Sequence, residues 1–147
     1  MRYILGADPG KLGGLSIRAS SKLNAWKMPE DAHGIWELFT HICGIYGPPK
    51  AAFIENVHAM PKNGSVANFK MGHNRSALEL CCIAKGIDYF LVAPRVWQDH
   101  HDCRTGGNKN VSKAKAIELF TEEYGKRITH AIADAMLIAQ YGWDIQQ

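Results

Sequence analysis

Hydrophobic positions along this chain switch between two periods. Arg2 to Ala7 is short and apolar, with Tyr3 and Ile4, and reads as a strand. Pro9, Gly10, Gly13 and Gly14 then form a turn. Leu15 to Ala19 alternates and predicts a second strand, and Asn24 to Met28 a third, joined by short loops as in an antiparallel meander. From Asp31 to Tyr46 the spacing becomes helical, with Ile35, Leu38, Phe39, Ile42 and Ile45, and Gly47-Pro48-Pro49 stops it. The run AAFIENV, Ala51 to Val57, predicts a buried fourth strand, and Met60 to Gly64 a polar loop. Ser65 to Lys85 predicts a long helix, with Val66, Phe69, Leu80 and Ile83 apolar and Gly86 as its C-cap. Tyr89 to Ala93 is a fifth strand, and Pro94 to about Asp99 a short helical turn. The polar segment Gln98 to Asn110 is an exposed loop, and Val111 to Tyr124 and Thr129 to Tyr141 are the last two helices.

The resulting order is β-β-β-α-β-α-β-α-α. No internal repeat, low-complexity tract or linker interrupts it, so residues 1–147 are expected to form one domain. A meander followed by alternating helices and strands implies an α/β fold, a five-stranded mixed sheet flanked by helices.

Composition narrows this little. At 147 residues, 46% hydrophobic and 21% charged, the chain is long enough for a real core and too apolar for disorder. The formal charge of +3 permits a nucleic-acid partner without requiring one. Cys43, Cys81, Cys82 and Cys103 include no CxxC pair, and two are adjacent, which predicts reduced thiols and a cytoplasmic protein. His100, His101 and Cys103 crowd into four residues and lack the paired spacing of a zinc site. The short apolar run before Asp8 is no signal peptide, and no segment approaches membrane-spanning length, so no membrane partner is expected.

Three carboxylates change the picture. Asp8 ends the first strand, Glu55 lies in the fourth, and Asp134 is the only formally charged residue between Thr129 and Tyr141. A buried carboxylate is costly without a cation, a hydrogen-bonding cage or a metal. Singly, each has an ordinary reading: a turn residue before Pro-Gly, a wetted strand face, an exposed helix edge. Jointly they converge if strands one and four are neighbours and the last helix crosses the sheet. His130, four residues before Asp134, shares its helix face. Carboxylates with an imidazole suit Mg²⁺ and Mn²⁺. Two such ions about 3.5–4 Å apart are what two-metal phosphodiester hydrolysis uses.

The segments ILGADPGKLGGLSI, FIENVHAMPKNGSVANFKMG, VAPRVWQ, SKAKAIELF and ITHAIADAMLIAQYG, in that order, resemble the RuvC family of Holliday-junction resolvases, in particular its compact phage-type endonucleases. The likeness runs over most of the chain, and the last segment is its most specific part. It implies a ribonuclease H-like fold and a homodimer that makes paired symmetrical nicks in four-way junctions or branched DNA, with two Mg²⁺ ions per active site and Mn²⁺ able to substitute. The expected setting is a bacterial cytoplasm, with a phage or a bacterial gene both open. Family catalytic and metal-binding positions carry onto Asp8, Glu55 and Asp134. The fourth ligand precedes the last Asp by one helical turn, where Ala131 holds the three-residue spacing and His130 the four-residue one, so His130 is assigned. His58 stands where family members often carry an aromatic wedge.

The basic residues then gain an expected role in phosphate contact: Lys62, Lys70 and Arg75 after Glu55, and Arg104, Lys109, Lys113 and Lys115 in or after the polar loop. Ser112 and the free N–H groups of a helix start are a further expected phosphate contact, and Lys109 or Lys113 is a candidate for stabilising transition-state charge. Apolar and small residues on more than one side of the Ser65–Lys85 helix leave both a second copy and the chain's own core as its partner. Two other readings stay open: a different ribonuclease H-like nuclease, such as an RNA-processing one of the YqgF type, and a non-catalytic nucleic-acid-binding module.

Overall fold

The fold is described by a computed structural model over residues 1–147. Its strands are β1 (Ile4–Asp8), β2 (Gly14–Ala19), β3 (Lys22–Lys27), β4 (Ala51–Glu55) and β5 (Tyr89–Val92). Its helices are α1 (Ala32–Tyr46), α2 (Ser65–Lys85), α3 (Pro94–His100), α4 (Lys109–Tyr124) and α5 (His130–Ile145). The sheet is five-stranded and mixed, in the order β3-β2-β1-β4-β5. The meander β1-β2-β3 is antiparallel, and β4 and β5 run parallel to β1.

Element boundaries depart from the sequence pattern where local hydrogen bonding outweighs hydrophobicity. Ala19 pairs directly with Lys22, so the hairpin closes over Ser20-Ser21 and β3 starts two residues early despite its charged first position. Helix α4 starts at Lys109 rather than Val111, because the Asn108 side chain accepts the Asn110 N–H at 3.0 Å and caps it. Strand β4 ends at Glu55, and Asn56 N–H donates to the Val92 carbonyl as the chain leaves the sheet.

Strand alternation sorts the core into two layers. Tyr3, Leu5, Ala7, Leu15 and Ile17 face α1 and α2, packing with Ile35, Phe39, Ile42 and Leu78. Ile4, Ala51 and Phe53 face α4 and α5, packing with Phe120, Ile132, Met136 and Leu137. By the same parity Asp8 follows Ile4 and Gly6, and Glu55 follows Ala51 and Phe53, so both acids belong to the α5 face. Helix α5 lies very close to β1. A Cβ on Gly6 would sit 2.4 Å from the Ala139 nitrogen and 2.6 Å from the Ala135 carbonyl oxygen, so only glycine permits this contact.

Candidate active site

Strand β1 pairs with β4 through Ala7 and Ile54, so Asp8 and Glu55 stand next to one another at two parallel strand ends. Helix α5, packed across β1 and β2, brings Asp134 to the same point. All three line one cleft of about 370 Å³, with Lys109, Gln98, Asn56 and His58 among its other walls.

Each carboxylate is held by a different donor. Asp8 is 4% exposed, and its Oδ1 accepts the Gly10 N–H at 3.0 Å. The β1–β2 turn folds tightly back on Asp8: a Cβ on Gly13 would lie 2.1 Å from the Asp8 carbonyl oxygen. The Pro9 carbonyl accepts the Asn74 side-chain amide of α2 at 3.1 Å. Glu55 Oε2 accepts the indole N–H of Trp97 at 2.8 Å. The buried Ser112 hydroxyl has one proton and two acceptors in reach, the Lys109 carbonyl at 3.2 Å and the Asp134 carboxylate.

Burial and mutual repulsion hold these acids above the ordinary carboxylate range. For Asp8 burial dominates, opposed by the Gly10 N–H and the Lys109 charge. Glu55 is pushed up to about 8, by burial first and then by Asp8 and Asp134, against Trp97 and Lys109. Asp134 rises to about 6 through burial and Asp8, with Ser112 and Lys109 opposing. Lys109 is the cation common to all three. Such a cluster asks for more positive charge than the chain supplies.

The donor set fits hard divalent cations. Three carboxylates offer only oxygen, which Mg²⁺ and Mn²⁺ prefer. No three His, Cys, Asp or Glu side chains close around a single point as a preformed cage. Mg²⁺ in phosphoryl sites usually takes only one or two carboxylates and keeps water or substrate oxygens for the rest. Asp8, between the other two, suits that sharing.

His130 is not among the residues lining the cleft. It opens α5 on an exposed turn. The backbone of Ala131 instead lies against β2, where a Cβ on Gly14 would come within 2.5 Å of its carbonyl oxygen.

The expected phosphate contacts divide. His58 and Lys109 border the cleft and are exposed, and Lys62 is exposed on the loop that follows β4. Lys113 is half-buried. Lys70 lies in a separate cleft beside the β1–β2 turn and donates to the Glu30 carbonyl. Arg75 is engaged within the fold, donating to Asn56 Oδ1 at 2.7 Å and pairing with Glu79 at 3.4 Å. Arg104 presents its guanidinium edge to Asp99, through Nε and through Nη2 at 2.9 Å. Lys115 pairs with Glu118 at 3.3 Å and sits by His101 and Cys103. Ser112 is buried, at 1% exposure, and its hydroxyl donates to the Lys109 carbonyl inside the fold.

Sequence reasoning missed Trp97 and Asn74. Both hold the site from more than 40 residues away in sequence. The usable signal for Asn74 was a polar residue four positions before Leu78, on the buried face of α2.

No protein-family model and no curated protein matches the chain. Solved structures do. A structure described as T. thermophilus RuvC in complex with Holliday junction substrate is similar over 95% of this chain and 90% of that one, with TM-score 0.66 and 16% identity. A second Thermus thermophilus RuvC structure gives TM-score 0.64 and 18% identity over 93% of this chain and 90% of that one. The yeast mitochondrial Holliday junction resolvase Ydc2 aligns at TM-score 0.47 and 16% identity, over 95% and 78%. The chain therefore has the RuvC ribonuclease H-like fold: a five-stranded mixed sheet flanked by helices.

Proposed function

We propose that this chain is a divalent-metal-dependent endonuclease that cuts branched DNA, four-way junctions above all, by paired nicks from a homodimer. One observation carries the reading. Asp8, Glu55 and Asp134, from β1, β4 and α5, line a single cleft whose carboxylates lack sufficient counter-charge. The shared fold with a RuvC that has been seen on a Holliday junction supports branched DNA as the substrate.

Asp8, Glu55 and Asp134 would hold the ions. Bound there, divalent cations lower the pKa of an attacking water and neutralise charge on the phosphate and the leaving oxygen. The protein's part is to keep the ligands rigid. Asp8 is fixed by a central strand and the Gly10 N–H, and Glu55 by Trp97, while the Ser112 hydroxyl stands beside Asp134. The Lys109 ammonium, at the exposed start of α4, offers a donor to a non-bridging phosphate oxygen, where it would stabilise developing charge. His58 and Lys62, on the loop leaving β4, meet the strand at the cleft mouth.

The dimer rests on α2. Val66, Phe69, Leu80 and Ile83 are 74%, 78%, 64% and 62% exposed, and with His73 and Ser76 they repeat at alternating three- and four-residue steps. That is the seam a helix offers to another helix.

The decisive experiment incubates purified protein and Mg²⁺ or Mn²⁺ with a synthetic four-way junction, a linear duplex and RNA. Nicks in two opposed junction strands are expected, with the duplex cut far less. Asp8→Asn should abolish cutting and keep junction binding. Equal cutting of duplex, cutting of RNA alone, or an active Asp8→Asn would overturn the reading.

A further inference from the structure

A second cleft, of about 340 Å³, opens beside the β1–β2 turn and is lined by Lys11, Leu12, Lys27, Met28, Glu30 and Lys70. Its three lysines come from three places in the sequence: the turn itself, the last residue of β3, and α2. The fold holds them together. Met28 N–H donates to the Gly13 carbonyl at 2.9 Å, tying the exit of β3 to the turn. Asn74 ties α2 to the same turn through Pro9, and Lys70 lies one helical turn before Asn74. Lys70 Nζ also donates to the Glu30 carbonyl, which leaves two of its three N–H groups for another acceptor.

None of the three lysines is in an ion pair, and their ammonium charges stay available to a ligand. Against three ammonium groups the cleft sets one carboxylate, Glu30, so its lining is net positive. A positively lined cleft favours an anion. The place of the cleft identifies which anion. Lys11 is three residues from Asp8, and Gly10, between them, lines the acidic cleft. A strand with one phosphate at the carboxylates and running over this turn would bring its next phosphates to the lysines.

We infer that Lys11, Lys27 and Lys70 form a second backbone-phosphate site, which grips the nucleic-acid strand where it leaves the acidic cleft over the β1–β2 turn. This rests on the nuclease reading for its substrate class, although the lysines themselves bind any nucleic-acid backbone.

The test measures affinity for a labelled four-way junction and a labelled linear duplex, in chelator, across a range of salt. Each lost phosphate contact removes roughly 0.9 from the slope of log affinity against log salt on B-DNA. Lys11→Ala/Lys27→Ala should therefore lower the slope by about two units on both DNAs, and adding Lys70→Ala by about one more. Lys11→Arg/Lys27→Arg should restore it. A control pair, Lys50→Ala/Lys126→Ala, should change it by much less. An unchanged slope, or an equal loss in the control pair, overturns the proposal. Inorganic phosphate that stabilises wild type but not Lys11→Ala/Lys27→Ala, with the DNA slopes unmoved, assigns the cleft to free phosphate and overturns it too. A protein that shows the slope loss yet never cuts a junction with any divalent ion keeps this site and loses the nuclease reading.

Discussion

Trp97 donates its indole N–H to Glu55 Oε2 at 2.8 Å, from a ring with 0% exposure. One oxygen of the carboxylate is thereby fixed, and the other is left to the cleft. The bond also stabilises the charged carboxylate against burial and against its two acidic neighbours. Trp97→Phe keeps an aromatic ring in the core and removes only the donor. The expected result is a roughly tenfold loss in single-turnover cutting, the size of one net hydrogen bond, with junction affinity little changed. The rising limb of the pH–rate profile should move to higher pH, because Glu55 loses a group that favours its ionised form. An unchanged rate and profile would reduce Trp97 to a packing residue.

A metal-free sample should lose stability as pH rises. Glu55 sits at about 8 in the fold against 4.5 as the ordinary value, and Asp134 at about 6 against 3.8. Between about pH 4 and pH 8 the folded protein thus binds more protons than the unfolded chain, so unfolding free energy falls across that window. The protonated acids' advantage is complete below pH 4 and gone above pH 8, on the order of a few kcal/mol. A divalent cation replaces the protons, so Mg²⁺ should raise Tm more at pH 8 than at pH 5.5. Glu55→Gln should flatten the metal-free pH dependence and weaken the Mg²⁺ response. Thermal unfolding with and without chelator checks both. If wild type and Glu55→Gln show the same pH dependence, the carboxylates are not crowded as described.

Much of this site was legible because a carboxylate is conspicuous in an apolar run. Asp8, Glu55 and Asp134 broke a hydrophobic pattern, and the predicted strand neighbours bring the first two together. What supports them was not legible. Trp97 reads as an ordinary core aromatic and Asn74 as one polar helix residue, since neither periodicity nor spacing encodes a partner 42 or 65 positions away. Exposed cations were equally ambiguous. Arg104 and Lys109 look alike in sequence, yet one closes on Asp99 and the other faces the acids. Helix spacing alone put His130 with Asp134. His130 lies on the exposed first turn of α5, and the Ala131 carbonyl of that turn is what meets β2.

His130→Ala therefore separates two ligand sets. With His130 exposed and outside the cleft lining, cutting should stay within about twofold of wild type in Mg²⁺ and in Mn²⁺, a surface-substitution effect of under about 0.5 kcal/mol. Lys109→Ala should cost far more, about 10²-fold or greater in rate, if it stabilises developing phosphate charge. Single-turnover cutting of the same junction measures both. A His130→Ala variant that fails to cut would return the histidine to the metal site.

The exposed seam of α2 is apolar enough to hold a second copy of the chain. Burying a Val, Leu, Ile or Phe side chain contributes about 1.5–3 kcal/mol, and in a twofold pair each seam residue is used twice. Leu80 and Ile83 are 64% and 62% exposed and belong to neither core cluster, so changing them to glutamate should spare the monomer. Leu80→Glu/Ile83→Glu should shift the protein from dimer to monomer in sedimentation at micromolar concentration, with Tm at low concentration little altered. On a four-way junction the monomer should make single nicks that are no longer paired, because each active site then acts alone. The turn that carries Asp8 is tied to α2 through Asn74, so the nicking rate per site also reports whether that helix must be paired for the cleft to work. A Leu80→Glu/Ile83→Glu protein that still sediments as a dimer and nicks both strands together would move the interface off α2.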